Sequence, residues 1–395
     1  MSVSPTVRPM QPPEERAVSR PRALLLLDPL LLLGALGLVA CSLVTLHVAA
    51  RATGGNLVER QALYAGIGLV AALVVAQIDY SRLREYRYVL YGLMIALNLV
   101  VFGMPAIQNA HRWIPLPFFQ IQSSEFGKVL LIVSLSAFLV DRSRRLHERR
   151  TTARIMLLAL VPALIVIPQP DIGTALVYVA IGFAILFVCG TPWKQLTALV
   201  AVGAASIALV LVAAPALGVH VLKPYQQQRL TTFLNPSRNC SNQTCYQLQQ
   251  SLIAIGSGQK TGRGALGATQ SELGFLPAPT TDFIFAALAE TYGFVGAALV
   301  LSLYALVIWR GLRILTMAKN LFGTAIAGGI LAMLMFQVFV SVGMTLGIMP
   351  TTGVPLPLMT YGGSSVVVTF LAVGLLQSIH VQARLASAGK NRGVV

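Results

Sequence analysis

Apolar residues in this chain come in long runs separated by shorter polar stretches. A helix needs about 20 apolar residues to cross a bilayer. Ten such segments can be drawn, over 23–47, 61–78, 86–104, 125–140, 154–168, 172–190, 195–217, 283–309, 321–348 and 364–383. The pattern predicts an all-α, polytopic membrane protein with ten transmembrane helices. Pro168 and Pro170 separate the fifth and sixth segments, which favours a turn over one continuous helix. Residues 218–282 form one long polar stretch between the seventh and eighth segments, and 105–124 and 349–363 are shorter ones. Residues 1–22 are polar and rich in Pro and Arg, which predicts a disordered tail. No small-residue cleavage site follows the first apolar run, so a cleavable signal peptide is not expected. Residues 23–386 read as the membrane domain and 387–395 as a second tail.

Composition makes lipid the solvent for most of this pattern. Of 395 residues 56% are hydrophobic and 11% charged, with a mean hydropathy of +0.74; soluble domains carry about 25% charged residues. The net charge of +16 would suit nucleic acid, but the basic residues lie in short loops between apolar runs, so no nucleic-acid partner is expected. With the N-terminus inside, the larger share of the 29 Lys and Arg falls on the cytoplasmic side, as the positive-inside rule requires. Both termini are then cytoplasmic and 218–282 extracytoplasmic. The cluster Arg142–Arg150 is an orientation signal that also meets anionic lipid heads. Cys41 and Cys189 lie in apolar runs and read as small buried residues. Cys240 and Cys245 share the long polar loop, without the spacing of a zinc site. Outside the cytoplasm they would form a disulfide; the alternative is two free thiols.

Only 13 acids occur in the chain, and charge near a bilayer is costly enough that each invites a reason. Glu125 and Lys128 are three residues apart at the start of the fourth segment, on one helical face. Asp171 starts the sixth segment and Asp282 the eighth. Taken singly, Asp171 and Asp282 read as helix caps and Glu125 with Lys128 as an intrahelical pair. Taken together, at one membrane level beside the long loop, they read as a functional site. The glycines of 246–290 lack a surrounding βαβ unit and are no dinucleotide fingerprint. The Pro- and Gly-rich stretch 343–365 implies a non-helical re-entry, tolerated only where protein or water covers the backbone.

Six stretches carry a resemblance: HRWIPLPFFQIQSSEFGK (111–128), QPDIGTA (169–175), KPYQQQRLTTFLNP (223–236), the YQ…QS…AIGSG pattern (246–258), TQSELGFLP…TDFIF (269–285) and GVPLP…YGGSS (353–365). In this order they resemble the SEDS family, which includes RodA, FtsW and SpoVE. The resemblance implies polymerisation of the lipid-linked peptidoglycan precursor, lipid II, on the outer face of the bacterial inner membrane. It implies that Asp282 is catalytic, and it places the family's Glu, Lys, Asp and Arg-Trp positions on Glu125, Lys128, Asp171, Arg112 and Trp113. Arg112, Arg229 and Lys128 are then candidates for the departing diphosphate, with Mg2+ or Mn2+ bridging acid and diphosphate as an alternative. The expected partner is a class B penicillin-binding protein, the transpeptidase that cross-links the strands. Within the family, GVPLP and the short tail resemble the elongation type; the division type often has Lys where Thr352 stands. Departures are Ser123 for a proline, and Ala278 and Thr280 where a Glu and a His usually precede TDFIF. A lipid-precursor flippase is the alternative function and a scaffold for a partner synthase a third. A transporter should place its key polar groups near mid-bilayer, and Glu290 is the main residue of that kind. Cysteine labelling checks the topology: Ser387→Cys should not react from outside intact cells.

Overall fold

The computed structural model describes residues 26–50, 56–105, 112–115, 120–209, 229 and 243–392. Its helices are α1 (Pro29–Ala49), α2 (Leu57–Gln77), α3 (Arg87–Val100), α4 (Ser123–Val140), α5 (Arg149–Val166), α6 (Ile172–Val188) and α7 (Trp193–Ala208), then α8 (Gln243–Gly258), α9 (Thr269–Glu272), α10 (Ile284–Met317), α11 (Leu321–Thr345) and α12 (Gly363–Arg392). A short antiparallel hairpin, β1 (Trp113–Pro115) and β2 (Gln120–Gln122), pairs Ile114 with Ile121 and leads directly into α4. Each predicted apolar segment contains a helix. Six of them, α1, α2, α4, α10, α11 and α12, are long and apolar enough to cross a membrane. The helices α3, α6 and α7 are apolar but shorter. The stretch expected as one long loop before Asp282 holds the helices α8 and α9. Cys245 is disulfide-bonded and Cys41 and Cys189 are free thiols; Cys240, its expected partner, lies outside the described residues.

Close approach of helices depends on small residues, as is usual where lipid gives no hydrophobic drive to association. On α12, a Cβ at Gly374 would sit 2.7 Å from the Ala72 carbonyl of α2, and one at Gly68 would sit 2.7 Å from Phe370. One end of the bundle is closed by polar contacts. Asp28 caps α1 through Leu30 and Leu31 N–H. Its carboxylate accepts from Arg310 Nε of α10 at 2.9 Å. Gln377 of α12 bonds its backbone N–H and C=O at 2.8 and 2.9 Å.

The opposite end is irregular, and neighbouring elements take many of the backbone groups it releases. The single run 283–309 hides a break: Gly293 has φ 64° and ψ −160° inside α10. Residues 284–291 before it are all buried, whereas part of the helix beyond it is exposed. The polar groups released at the kink are taken by the loop after α8: Phe294 N–H donates to Gln259 O (2.9 Å), Val295 N–H to Lys260 O (3.1 Å) and Arg263 N–H to Glu290 O (3.0 Å), which is what a sharp mid-helix kink requires. Glu290 accepts from Gln270 N–H (2.7 Å), Ser271 N–H (3.0 Å) and Ser271 Oγ (2.6 Å). The main mid-segment acid therefore anchors the loop that leads to Asp282.

The stretch between α11 and α12 is the predicted re-entry, and protein covers it. Ser42 Oγ of α1 donates to Met359 O at 2.6 Å. Gln61 of α2 donates to Thr360 O at 3.2 Å and accepts from Gly362 N–H at 3.3 Å. Tyr304 Oη of α10 donates to Pro357 O. Because an unsatisfied buried donor or acceptor costs about 1–3 kcal/mol, Gln61→Ala should lower stability by about that amount. The apparent melting temperature in detergent should fall, while Gln77→Ala, whose amide bonds Leu73 O in an exposed place, should leave it unchanged.

Candidate active site

Three helix starts and the re-entrant stretch converge at the irregular end. Asp171 is the N-cap of α6 and accepts from Thr174 N–H at 3.1 Å. Its second oxygen accepts from Ser124 Oγ at 3.0 Å and Gln122 Nε2 at 3.4 Å, so one carboxylate joins the start of α6 to the start of α4. The two helices come this close because residue 127 is glycine: a Cβ there would lie 2.0 Å from Tyr178 Oη, which donates to Ser124 O. Ser123 Oγ donates to Asn98 Oδ1 at 3.4 Å.

Glu125 and Lys128 form an ion pair at 2.6 Å with both side chains 1% exposed. The sequence reads Glu125 and Lys128 as an intrahelical pair, and the family resemblance adds a phosphate contact for Lys128. In the structure its ammonium is sealed inside the bundle and neutralised by Glu125. The second Glu125 oxygen, Oε1, is buried without a partner among the described residues.

Asp282 differs from Asp171. The N-cap of α10 is Phe283, which makes no side-chain cap bond, so Asp282 does not cap the helix it precedes. The turn carrying it is closed by Thr281 and Phe283 N–H on Ala278 O, with Ala278 at φ 48°, and is tied to the re-entry by Tyr361 N–H on Thr280 O at 3.0 Å. Asp282 itself is half-buried. Burial holds its carboxyl above the usual range; the Arg229 and Arg112 charges oppose that shift and the Asp171 charge adds to it. Opposing effects of this kind are the way a fold tunes one acid among several. Arg112 is oriented by donating to Gln169 O at 2.7 Å and to Pro170 O, the turn that delivers Asp171. The structure therefore groups Asp282, Asp171, Arg112 and Arg229, and sets Glu125 with Lys128 behind them in the protein.

Two features escape a reading of the sequence. Gly353 (φ 72°) faces Asp282: a Cβ there would lie 3.6 Å from Asp282 Oδ2. Next to it Thr352 packs on α6, its carbonyl 3.2 Å from the position of a Cβ on Gly173. The Oγ1 atoms of Thr351 and Thr352 are buried with no partner among the described residues. The motif PTTGVPLP shows where this stretch is, but not that it lies between two distant aspartates.

The family model for cell cycle proteins of the FtsW, RodA and SpoVE type matches residues 23–385. This chain belongs to that family. Relatives within the FtsW, RodA and SpoVE group include the peptidoglycan glycosyltransferase MrdB of Escherichia coli strain K12. It is 37% identical over 364 residues, which cover 91% of this chain and 95% of the relative. The peptidoglycan glycosyltransferase RodA of Treponema pallidum strain Nichols is 33% identical, over 90% of this chain and 98% of its own. Among solved structures, a chain from a peptidoglycan synthase complex, studied for the coordination of polymerization and crosslinking, superposes with a TM-score of 0.76. It is 31% identical, over 90% of this chain and 98% of that one.

The buried ion pair carries its own prediction. Removing one partner strands the other charge at a cost of about 3–5 kcal/mol, whereas replacing both is often near neutral. Lys128→Ala should therefore lower the melting temperature sharply, and adding Glu125→Gln to Lys128→Met should recover most of it.

Proposed function

We propose that this chain is a peptidoglycan glycosyltransferase that polymerises lipid II at the outer face of the bacterial inner membrane, with Asp282 as general base. The observation that carries the reading is an aspartate with no capping task, raised by burial, facing two arginines. A sugar hydroxyl attacks the anomeric carbon that bears the lipid diphosphate. Its C–O bond forms as the anomeric carbon–diphosphate bond breaks, and the hydroxyl proton passes to Asp282. A carboxylate does not deprotonate a sugar hydroxyl beforehand, so the transfer is concerted with bond formation, and a raised pKa makes the acceptor more effective. The diphosphate departs with the bonding electrons, and Arg112 and Arg229 meet its charge. Single displacement inverts the anomeric centre. Asp171 holds the start of α6 in register and tunes Asp282. Thr351 and Thr352 supply hydroxyls that find partners when substrate enters. An Mg2+ or Mn2+ ion would be held through Asp282, because the oxygens of Asp171 already accept from Thr174, Ser124 and Gln122, and it would supply positive charge toward the departing diphosphate.

The GVPLP stretch, with Thr352 where the division type often has Lys, favours the elongation branch. The partner in this reading is a class B penicillin-binding protein. The relationship to a chain from a synthase complex supports that partnership. A flippase would use an intramembrane acid that is free to bind and release; Glu290, the candidate for that task, is already committed to Gln270 and Ser271.

Purified protein supplied with lipid-linked disaccharide-pentapeptide should yield glycan polymer resolvable on a gel. Asp282→Asn should abolish the product while the melting temperature stays the same or rises, since a partly buried charge is removed. Polymer made by Asp282→Asn at the wild-type rate would refute the assignment. Thr352→Val, isosteric but without the hydroxyl, should cut turnover about tenfold or more without loss of stability, and Thr352→Ser should restore most of it.

A further inference from the structure

Away from Asp282, α1 and α10 part and leave an apolar cavity of about 500 Å3, lined by Cys41, Val44, Leu288, Tyr292, Val295 and Leu299 among others. Val44, Val295 and Leu299 are exposed, so the cavity opens sideways, toward the space a bilayer fills around a spanning helix. Thr261 also lines it and is shared with a second cavity of about 340 Å3, whose walls are polar: Ser257, Gln259, Gly262 and Arg263. The loop that forms this second cavity is rigid for a stated reason. Gly262 N–H donates to Gly258 O (2.8 Å), Arg263 N–H to Glu290 O (3.0 Å) and Gly264 N–H to Thr291 O (3.0 Å), so these backbone donors are spent. Side chains are what remain to greet a ligand. Arg263 Nε donates to Ser257 O at 3.0 Å, which orients the guanidinium and leaves its two terminal amino groups for an anion. Exposed Lys260 adds a second positive charge beside Thr261.

We infer that these joined cavities seat one anionic phospholipid, with an acyl chain in the groove between α1 and α10 and its phosphate against Arg263 and Lys260. The pairing of chemistries selects the ligand. An apolar groove open to the side takes a hydrocarbon chain, and each buried methylene contributes. An oriented guanidinium binds a phosphate through two parallel bonds, and the adjoining lysine favours a headgroup with net negative charge over a zwitterionic one. The seat touches Tyr292 and Val295, the residues on either side of the Gly293 kink, so an occupant braces the joint from which the buried segment 284–291 runs back to Asp282. This site is separate from the proposed reaction centre.

The full chain, purified in detergent, is mixed with palmitoyl-oleoyl phosphatidylglycerol or with the phosphatidylcholine of the same chains, and retained lipid is counted by native mass spectrometry. One phosphatidylglycerol should be retained about tenfold more tightly than phosphatidylcholine. Arg263→Gln should erase that preference while leaving some binding of both. Val295→Trp, which fills the groove from an exposed position without touching the basic end, should weaken both lipids. Equal retention of the two lipids by the unaltered protein overturns the inference, as does retention unchanged in both variants. It is also overturned if undecaprenyl diphosphate displaces phosphatidylglycerol at equimolar concentration, because the groove would then belong to the substrate.

Discussion

A backbone that leaves the helix inside an apolar bundle must find partners for every polar group it exposes, and this structure is organised around meeting that demand twice. The stretch between α11 and α12 is non-helical and enclosed, and Ser42, Gln61 and Tyr304 reach into it from α1, α2 and α10. The kink at Gly293 releases further groups, and the loop after α8 takes them. An open strand or loop facing lipid would leave these groups unpaired at a cost of several kcal/mol each. Enclosure by neighbouring helices makes the irregular end affordable, and the irregular end is where the reactive groups meet.

The two irregular segments do different work at the site. The re-entry brings Gly353 against Asp282 and Thr352 against the start of α6, so it bridges residues more than 100 positions apart in the chain. Asp282 lies just before the start of the half of α10 that precedes the kink, and Glu290 ties the preceding loop to that same half-helix. Asp171 and Asp282 look alike in sequence, an acid at a helix start. Their surroundings differ: hydrogen bonds from Thr174, Ser124 and Gln122 occupy the first, while the second is set among the charges of Arg229, Arg112 and Asp171. The pair Glu125–Lys128 is buried, each charge meeting the other.

Much of this was legible in the sequence because the bilayer imposes a coarse rule. Apolar runs of helical length located every helix pair that frames the site, and costly charges at their ends marked Glu125, Lys128, Asp171 and Asp282. Spacing along one helix does predict that Glu125 meets Lys128, but it does not tell whether lipid, water or protein surrounds them, so the burial of Lys128 was hidden. Gly293 lies in an unbroken apolar run, and a lone glycine there carries no mark of positive φ. Glu290 looks like a mid-membrane functional acid until the position of Ser271 is known. The hydroxyls of Thr351 and Thr352 are ordinary residues until the fold leaves them without partners.

The account rests on Asp282 being a base whose readiness is set by burial and by the charges of Arg229, Arg112 and Asp171. The pH dependence of polymerisation by purified protein tests this most directly. The raised carboxyl must be ionised to accept a proton, so the rate should fall on the acid side through a pKa above that of an ordinary aspartate. Arg229→Gln removes an opposing positive charge, and its acid limb should move to still higher pH while the rate at alkaline pH stays measurable. An acid limb at the ordinary aspartate value, or one that Arg229→Gln leaves in place, would contradict the account.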